Sequence, residues 1–161
     1  MPRKSAGLLL YRRRKGTEEV FLVHPGGPFW AKKDNGIWSI PKGEFADDED
    51  PLEAAKREFR EETSLEITGD CRPLKPIRQS GGKIIYAWAV QMDIDPATVK
   101  SNTFTLEWPP KSGRLREFPE IDRAGWFPID LARKKILRSQ RPLLDELESS
   151  GFGHKTKERA T

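Results

Sequence analysis

A chain of 161 residues, 35% hydrophobic and 34% charged, is long enough to bury a core without staples and too apolar to be disordered. Its one cysteine, Cys71, excludes an internal disulfide framework and suits a reducing compartment as an inert thiol. The net charge of +4 favours anionic partners. No apolar run approaches the roughly 18 residues of a membrane span, and the N-terminal stretch has no secretory signature, so a cytoplasmic protein without membrane partners is expected.

In chain order, residues 6–11 and 19–23 are rich in strand formers and predict a paired set of strands. Arg12, Arg13, Arg14 and Lys15 lie between them, before Gly16, and are expected to form a solvated turn. A nucleic-acid surface would interleave basic residues with aromatics over a broader stretch, which argues against a nucleic-acid partner. The segment 24–38 is dense in Gly, Pro and Lys yet holds Phe29, Trp30 and Trp38. Those rings either close over a core edge or line a pocket where a nucleobase stacks, for about 1 to 3 kcal/mol. Residues 38–44 predict a short strand into a glycine loop, with Lys42 directly before Gly43. There its point charge either holds a phosphate or is simply exposed.

The stretch 43–65 organises the rest. Asp50 has the chemistry of an N-cap, Pro51 suits the first helical position, and Glu53 lies where a capping box closes, so a helix is predicted from Pro51. At 100° per residue Leu52, Ala55 and Phe59 share one face, while Glu58, Glu61 and Glu62 gather on another arc. Like charges at this spacing cost a few tenths of a kcal/mol per pair. Either Lys56, Arg57 and Arg60 compensate on a solvated face, or a hard cation such as Mg²⁺ uses the oxygen ligands together with substrate phosphates.

Beyond the helix, strand character recurs at 65–67 and 75–79, and most strongly at 83–92, expected to be an interior strand. Residues 103–108 predict a further strand, 109–119 a basic loop containing Lys111, Arg114 and Arg116, and Trp126-Phe127 the opening of a last strand. Two short helices follow at 131–137 and 142–149, the second with Leu143, Leu144 and Leu147 on one face. We expect a single domain over 1–150 and a basic, disordered tail over 151–161. Strands, one internal helix, more strands and terminal helices suggest a mixed sheet covered on both faces.

The residues Gly43, then Glu49 after five more, then Arg57-Glu58-Phe59-Arg60-Glu61-Glu62-Thr63-Ser64-Leu65 after seven, closely resemble the signature of the Nudix (MutT-like) hydrolases. Every fixed position matches except the second glycine, which is Ser64 here. A residue with a Cβ in the left-handed conformation expected there costs about 1 kcal/mol or more. The resemblance implies an α/β/α sandwich with a mixed β-sheet and the signature loop and helix at the active site. It implies hydrolysis of a nucleoside diphosphate linked to another moiety, with Mg²⁺ or alternatively Mn²⁺. It assigns metal ligation to Glu58, Glu61, Glu62 and the Gly43 carbonyl, and support of the site to Glu49 and Arg57.

The catalytic base that the resemblance implies is Glu58 or Glu61, or Glu120, which stands six residues before Trp126, with Glu117 behind it. The 6–13 run, the 38–44 run and the place of Glu120 look like the dinucleoside polyphosphate branch, with nucleoside triphosphates as rival substrates. Lys42, Trp30, Trp38 and Arg114 are the expected substrate contacts, and a monomer or homodimer is expected. Two other readings stand beside this: a sensor that binds ADP-ribose or a nucleotide sugar, and an RNA 5′ pyrophosphohydrolase.

Overall fold

The computed structural model describes residues 3–150. Strand β1 (Lys4–Arg14) turns into β2 (Thr17–Pro25) as an antiparallel hairpin closed by Lys15 and Gly16, whose φ angles are 52° and 80°. The hairpin was expected, but its turn is only two residues long. Arg12 and Arg13 are strand residues that form ion pairs across the ladder with Glu19 and Glu18, each at 2.7 Å. That pairing extends the strands through the basic run.

Leu8, Leu9 and Leu10 explain the layering. Side chains alternate along a strand, so Leu8 and Leu10 face one way and Leu9 the other, and all three are fully buried. On one side Leu8 and Leu10 join Ala54, Ala55 and Phe59 of α1 (Pro51–Thr63). On the other, Leu9 joins Ala132 of α2 (Ile129–Lys135) and Leu143, Leu144 and Leu147 of α3 (Arg141–Ser149). The result is an α/β/α sandwich.

The sheet between the helices is mixed. β6 (Ile84–Gln91) runs parallel to β1 and is flanked on its outer side by β4 (Cys71–Pro73) and β5 (Ile77–Arg78). β3 (Lys42–Glu44) pairs with the start of β1, and β9 (Ile121–Pro128) lies antiparallel to β2, giving the order β4-β6-β1-β2-β9. The expected interior strand at 83–92 is thus β6. Residues 65–67 form no strand, although Leu65 and Ile67 still pack under α1. Hydrophobicity there serves packing rather than pairing.

Two further expectations are corrected. The basic stretch before Glu120 is not all loop: Leu115–Pro119 is strand β8, which pairs with β7 (Thr103–Glu107) in a separate two-stranded sheet. Trp126 and Phe127 lie near the end of β9, not at its opening, because the ladder with β2 starts at Ile121. The tail over 151–161 lies outside the described residues. Among those described, no helix is long and apolar enough to cross a membrane.

Candidate active site

Helix α1 begins as its sequence dictates. Asp50 is extended, its carboxylate accepts from the Glu53 backbone N–H at 3.0 Å, and Pro51 opens the first turn. Its end is strained. Ser64 adopts φ 66°, ψ 20°, costing about 1 kcal/mol, and its hydroxyl donates to the Lys100 carbonyl. The last carbonyls of the helix are satisfied by the chain that passes it: Lys100 N–H donates to Thr63 O and Asn102 N–H to Glu61 O. Asn102 O in turn accepts from the Glu120 N–H at 2.8 Å. This backbone relay brings Glu120 to the helix.

Arg57 is the hub of the acidic face. It donates through Nε and Nη2 to the two oxygens of Glu49 (2.8 and 3.2 Å), and through Nη1 to Glu58 at 2.7 Å and Glu61 at 3.2 Å. Glu49 above all, then Glu58, raises the guanidinium further above its ordinary range, so the charge is permanent. The Glu58 carboxylate also lies over the backbone of Gly43, where an added Cβ would fall 1.9 Å from Oε1. Glycine is required there for approach, not for φ.

Glu62 is the most enclosed carboxylate. Burial, followed by the neighbouring charge of Glu58, pushes its pKa up to about 8, against the opposing charge of Lys42 and a hydrogen bond from the Lys42 backbone. Burial also raises Glu58, with Arg57 opposing, and burial followed by Lys83 lowers the Lys42 ammonium. The field of Glu120 reaches both Glu58 and Glu62. Four carboxylates therefore crowd one site with less positive charge than they call for.

Two of them, Glu62 and Glu120, border a mainly apolar cavity of about 340 Å³, whose wall includes Val23, Trp30, Ser39, Ile40, Leu137 and Ile121, with Lys42 as its remaining charged member. That volume is in the range of small-molecule sites. Its front loop is fixed by His24, fully buried, whose ring nitrogens contact Asp122 Oδ1 and Lys33 O, each at 2.7 Å. Gly26 allows that loop to touch the chain at Glu120: its N–H donates to Glu120 O, and a Cβ would meet Pro119 O at 2.0 Å.

Of the expected substrate contacts, Lys42 and Trp30 border the cavity. Trp38 does not: it is 5% exposed, its Nε1 donates to Asp34, and its ring meets Phe127 edge-on at 4.9 Å. Its surface is spent on the core. Arg114 sits exposed at the β7–β8 turn and is not part of the wall, because strand pairing carries that tip away. Glu117 is exposed on β8. Ser39 and Gln140, which meet across 101 positions, carry no local sequence pattern and were not anticipated.

Among the described residues, no three acidic, histidine or cysteine side chains converge into a ready metal cage, since Glu58 and Glu61 are turned to Arg57. The chemistry still suits a hard divalent cation. All four acids offer oxygen donors, and burial and mutual repulsion hold Glu62 partly protonated until positive charge arrives.

A NUDIX domain model matches residues 1–147, and the chain belongs to the Nudix hydrolase family. Solved structures agree on the fold. A Caenorhabditis elegans Ap4A hydrolase binary complex is 22% identical, with TM-score 0.61, covering 94% of this chain and 98% of that one. The NUDIX domain of Shewanella oneidensis NrtR, complexed with ADP ribose, is 17% identical, with TM-score 0.59 over 100% and 90%. A mutT/nudix family protein from Listeria innocua is 19% identical, with TM-score 0.62 over 99% and 98%.

Proposed function

We propose that the protein is a Mg²⁺-dependent pyrophosphohydrolase acting on a dinucleoside polyphosphate or a nucleoside triphosphate. One observation carries the reading: the backbone relay through Asn102 sets Glu120 on the same cavity as Glu62 and Lys42, bringing a remote carboxylate to the acidic helix. The apolar walls and Trp30 hold the nucleoside, and the Lys42 ammonium holds a phosphate. Glu58, Glu61, Glu62 and the Gly43 carbonyl would hold the Mg²⁺, with Mn²⁺ as a substitute; the bound ion neutralises charge on the phosphate oxygens. Glu49 and Arg57 orient the helix carboxylates.

The proton of the attacking water goes to Glu120, which borders the cavity outside the Arg57 network. Glu58 and Glu61, the other candidate bases, are both engaged by Arg57. Water attack at phosphorus breaks the anhydride bond and releases two phosphate-terminated products. The test is phosphate release with Mg²⁺ from nucleoside triphosphates, dinucleoside polyphosphates, ADP-ribose and 5′-triphosphorylated RNA, comparing the native chain with Glu62→Gln. Turnover of one of the first two classes, lost in the variant, supports the reading. Tight ligand binding without turnover of any member replaces hydrolysis with a sensor role.

A further inference from the structure

The cavity is apolar over most of its wall, and Ser39 is one of its few polar members. The Ser39 hydroxyl is held by a fully buried residue from the far end of the chain. The Ile40 N–H donates to Gln140 Oε1 at 3.1 Å, and Gln140 Nε2 donates to Ser39 Oγ at 3.0 Å. Because the backbone N–H of Ile40 can only donate, the amide orientation of Gln140 is fixed, and its NH₂ must face Ser39. The Ser39 proton in turn is directed to the Ile40 carbonyl at 2.6 Å. Donor and one acceptor position are used within the protein, so the hydroxyl can offer a ligand only its remaining lone pair.

We propose that Ser39, oriented by Gln140, is a specificity-determining residue that accepts a hydrogen bond from an exocyclic amine on the nucleobase. The inference rests on the nucleotide reading given above and names the base chemistry. Ser39 lies three residues before Lys42, across the bend at Pro41, and both border the cavity, so the base-reading point and the phosphate-holding point are distinct. A base that lacks the amine leaves the second lone pair of the serine oxygen without a donor beside an apolar wall, and an apolar pocket discriminates through such unfilled hydrogen-bonding positions. Gln140 is a positioning residue: it touches no ligand and acts through Ser39 and the Ile40 backbone.

Nucleoside monophosphates have no anhydride bond to cut, so their binding can be measured apart from turnover. Calorimetry in Mg²⁺ would compare AMP with purine riboside monophosphate, GMP with IMP, and CMP with 2-pyrimidinone riboside monophosphate, each pair differing at the exocyclic amine. The native chain is expected to prefer the amine by about tenfold in at least one pair, the worth of one hydrogen bond. Ser39→Ala should bring that pair within twofold, and Gln140→Met should do the same if it folds. A preference that survives Ser39→Ala, or no preference in any pair, overturns the proposal. Dinucleoside polyphosphate turnover, assayed separately, distinguishes the two failures. Hydrolysis without amine preference sinks only the role of Ser39, whereas amine preference without hydrolysis sinks only the enzymatic reading.

Discussion

The carboxylate of Glu58 rests on the backbone of Gly43, so closely that a methyl group at that glycine would overlap it, with 1.9 Å to Oε1 and 2.0 Å to Cδ. What a new Cβ meets is the far end of a flexible side chain, not backbone. Gly43→Ala should therefore fold almost normally, within about 1 kcal/mol of the native stability, while Glu58 is driven off its place beside Arg57. We expect activity to fall at least about a hundredfold with little change in melting temperature. A large stability loss would show that the backbone, not Glu58, yields.

Arg57 serves three carboxylates with a planar fork, which an ammonium cannot do. Arg57→Lys is expected to lose about 1 to 2 kcal/mol of stability and to lower kcat/KM by about tenfold or more. Glu49→Gln should reproduce part of both effects, since it weakens the anchor that orients the same guanidinium. Chemical denaturation and steady-state kinetics on the two variants check this.

Phe59 has no exposure and sits under the sheet among Ala6, Leu8 and Leu10. Phe59→Ala should cost about 3 to 5 kcal/mol through lost transfer energy and a cavity. For a chain of this size that corresponds to a drop of roughly 10 °C in Tm, readable by calorimetry. An unchanged Tm would refute the helix packing described.

Glu62 makes stability depend on pH when metal is removed. Its folded pKa of about 8 lies above the ordinary glutamate value of 4.5, so the folded chain holds the proton more tightly. The contribution is fully present below pH 4.5 and is lost as pH rises through about 8. In chelator, the protein is expected to lose stability across that window, on the order of a few kcal/mol. Glu62→Gln should flatten the curve, and Mg²⁺ should restore the native protein. Thermal melts from pH 5 to 9, with and without Mg²⁺, test it.

How much of this was legible depends on whether the determinant is local. The α1 cap, the acidic arc and the α3 leucines follow from a few neighbouring residues, and each stands where periodicity and capping chemistry put it. The second strand of the β7–β8 hairpin, Leu-Arg-Glu-Phe-Pro, was missed because it is mostly exposed and does not alternate apolar with polar residues. It pairs only with β7, so no buried face imposes an alternation. Trp38 was misplaced for the opposite reason: a bulky ring in a Gly- and Lys-rich segment has the same local context whether it faces a ligand or Phe127. The Gln140–Ser39 contact depends wholly on tertiary structure.

The clamp between Asn102 and Glu120 has a consequence for how this fold can vary. The chain departs at Asn102 and returns at Glu120, and those two residues are tied to each other through their backbones. Everything between them is a closed excursion, anchored elsewhere by the edge-on contact of Trp108 with Phe29 and by Phe104 beside Gly27. Segment 103–119 is therefore an exchangeable cassette. It can be lengthened, shortened or replaced by another hairpin without moving Glu120 relative to the helix, and what such grafts would alter is the outer rim near Phe29 and Trp30.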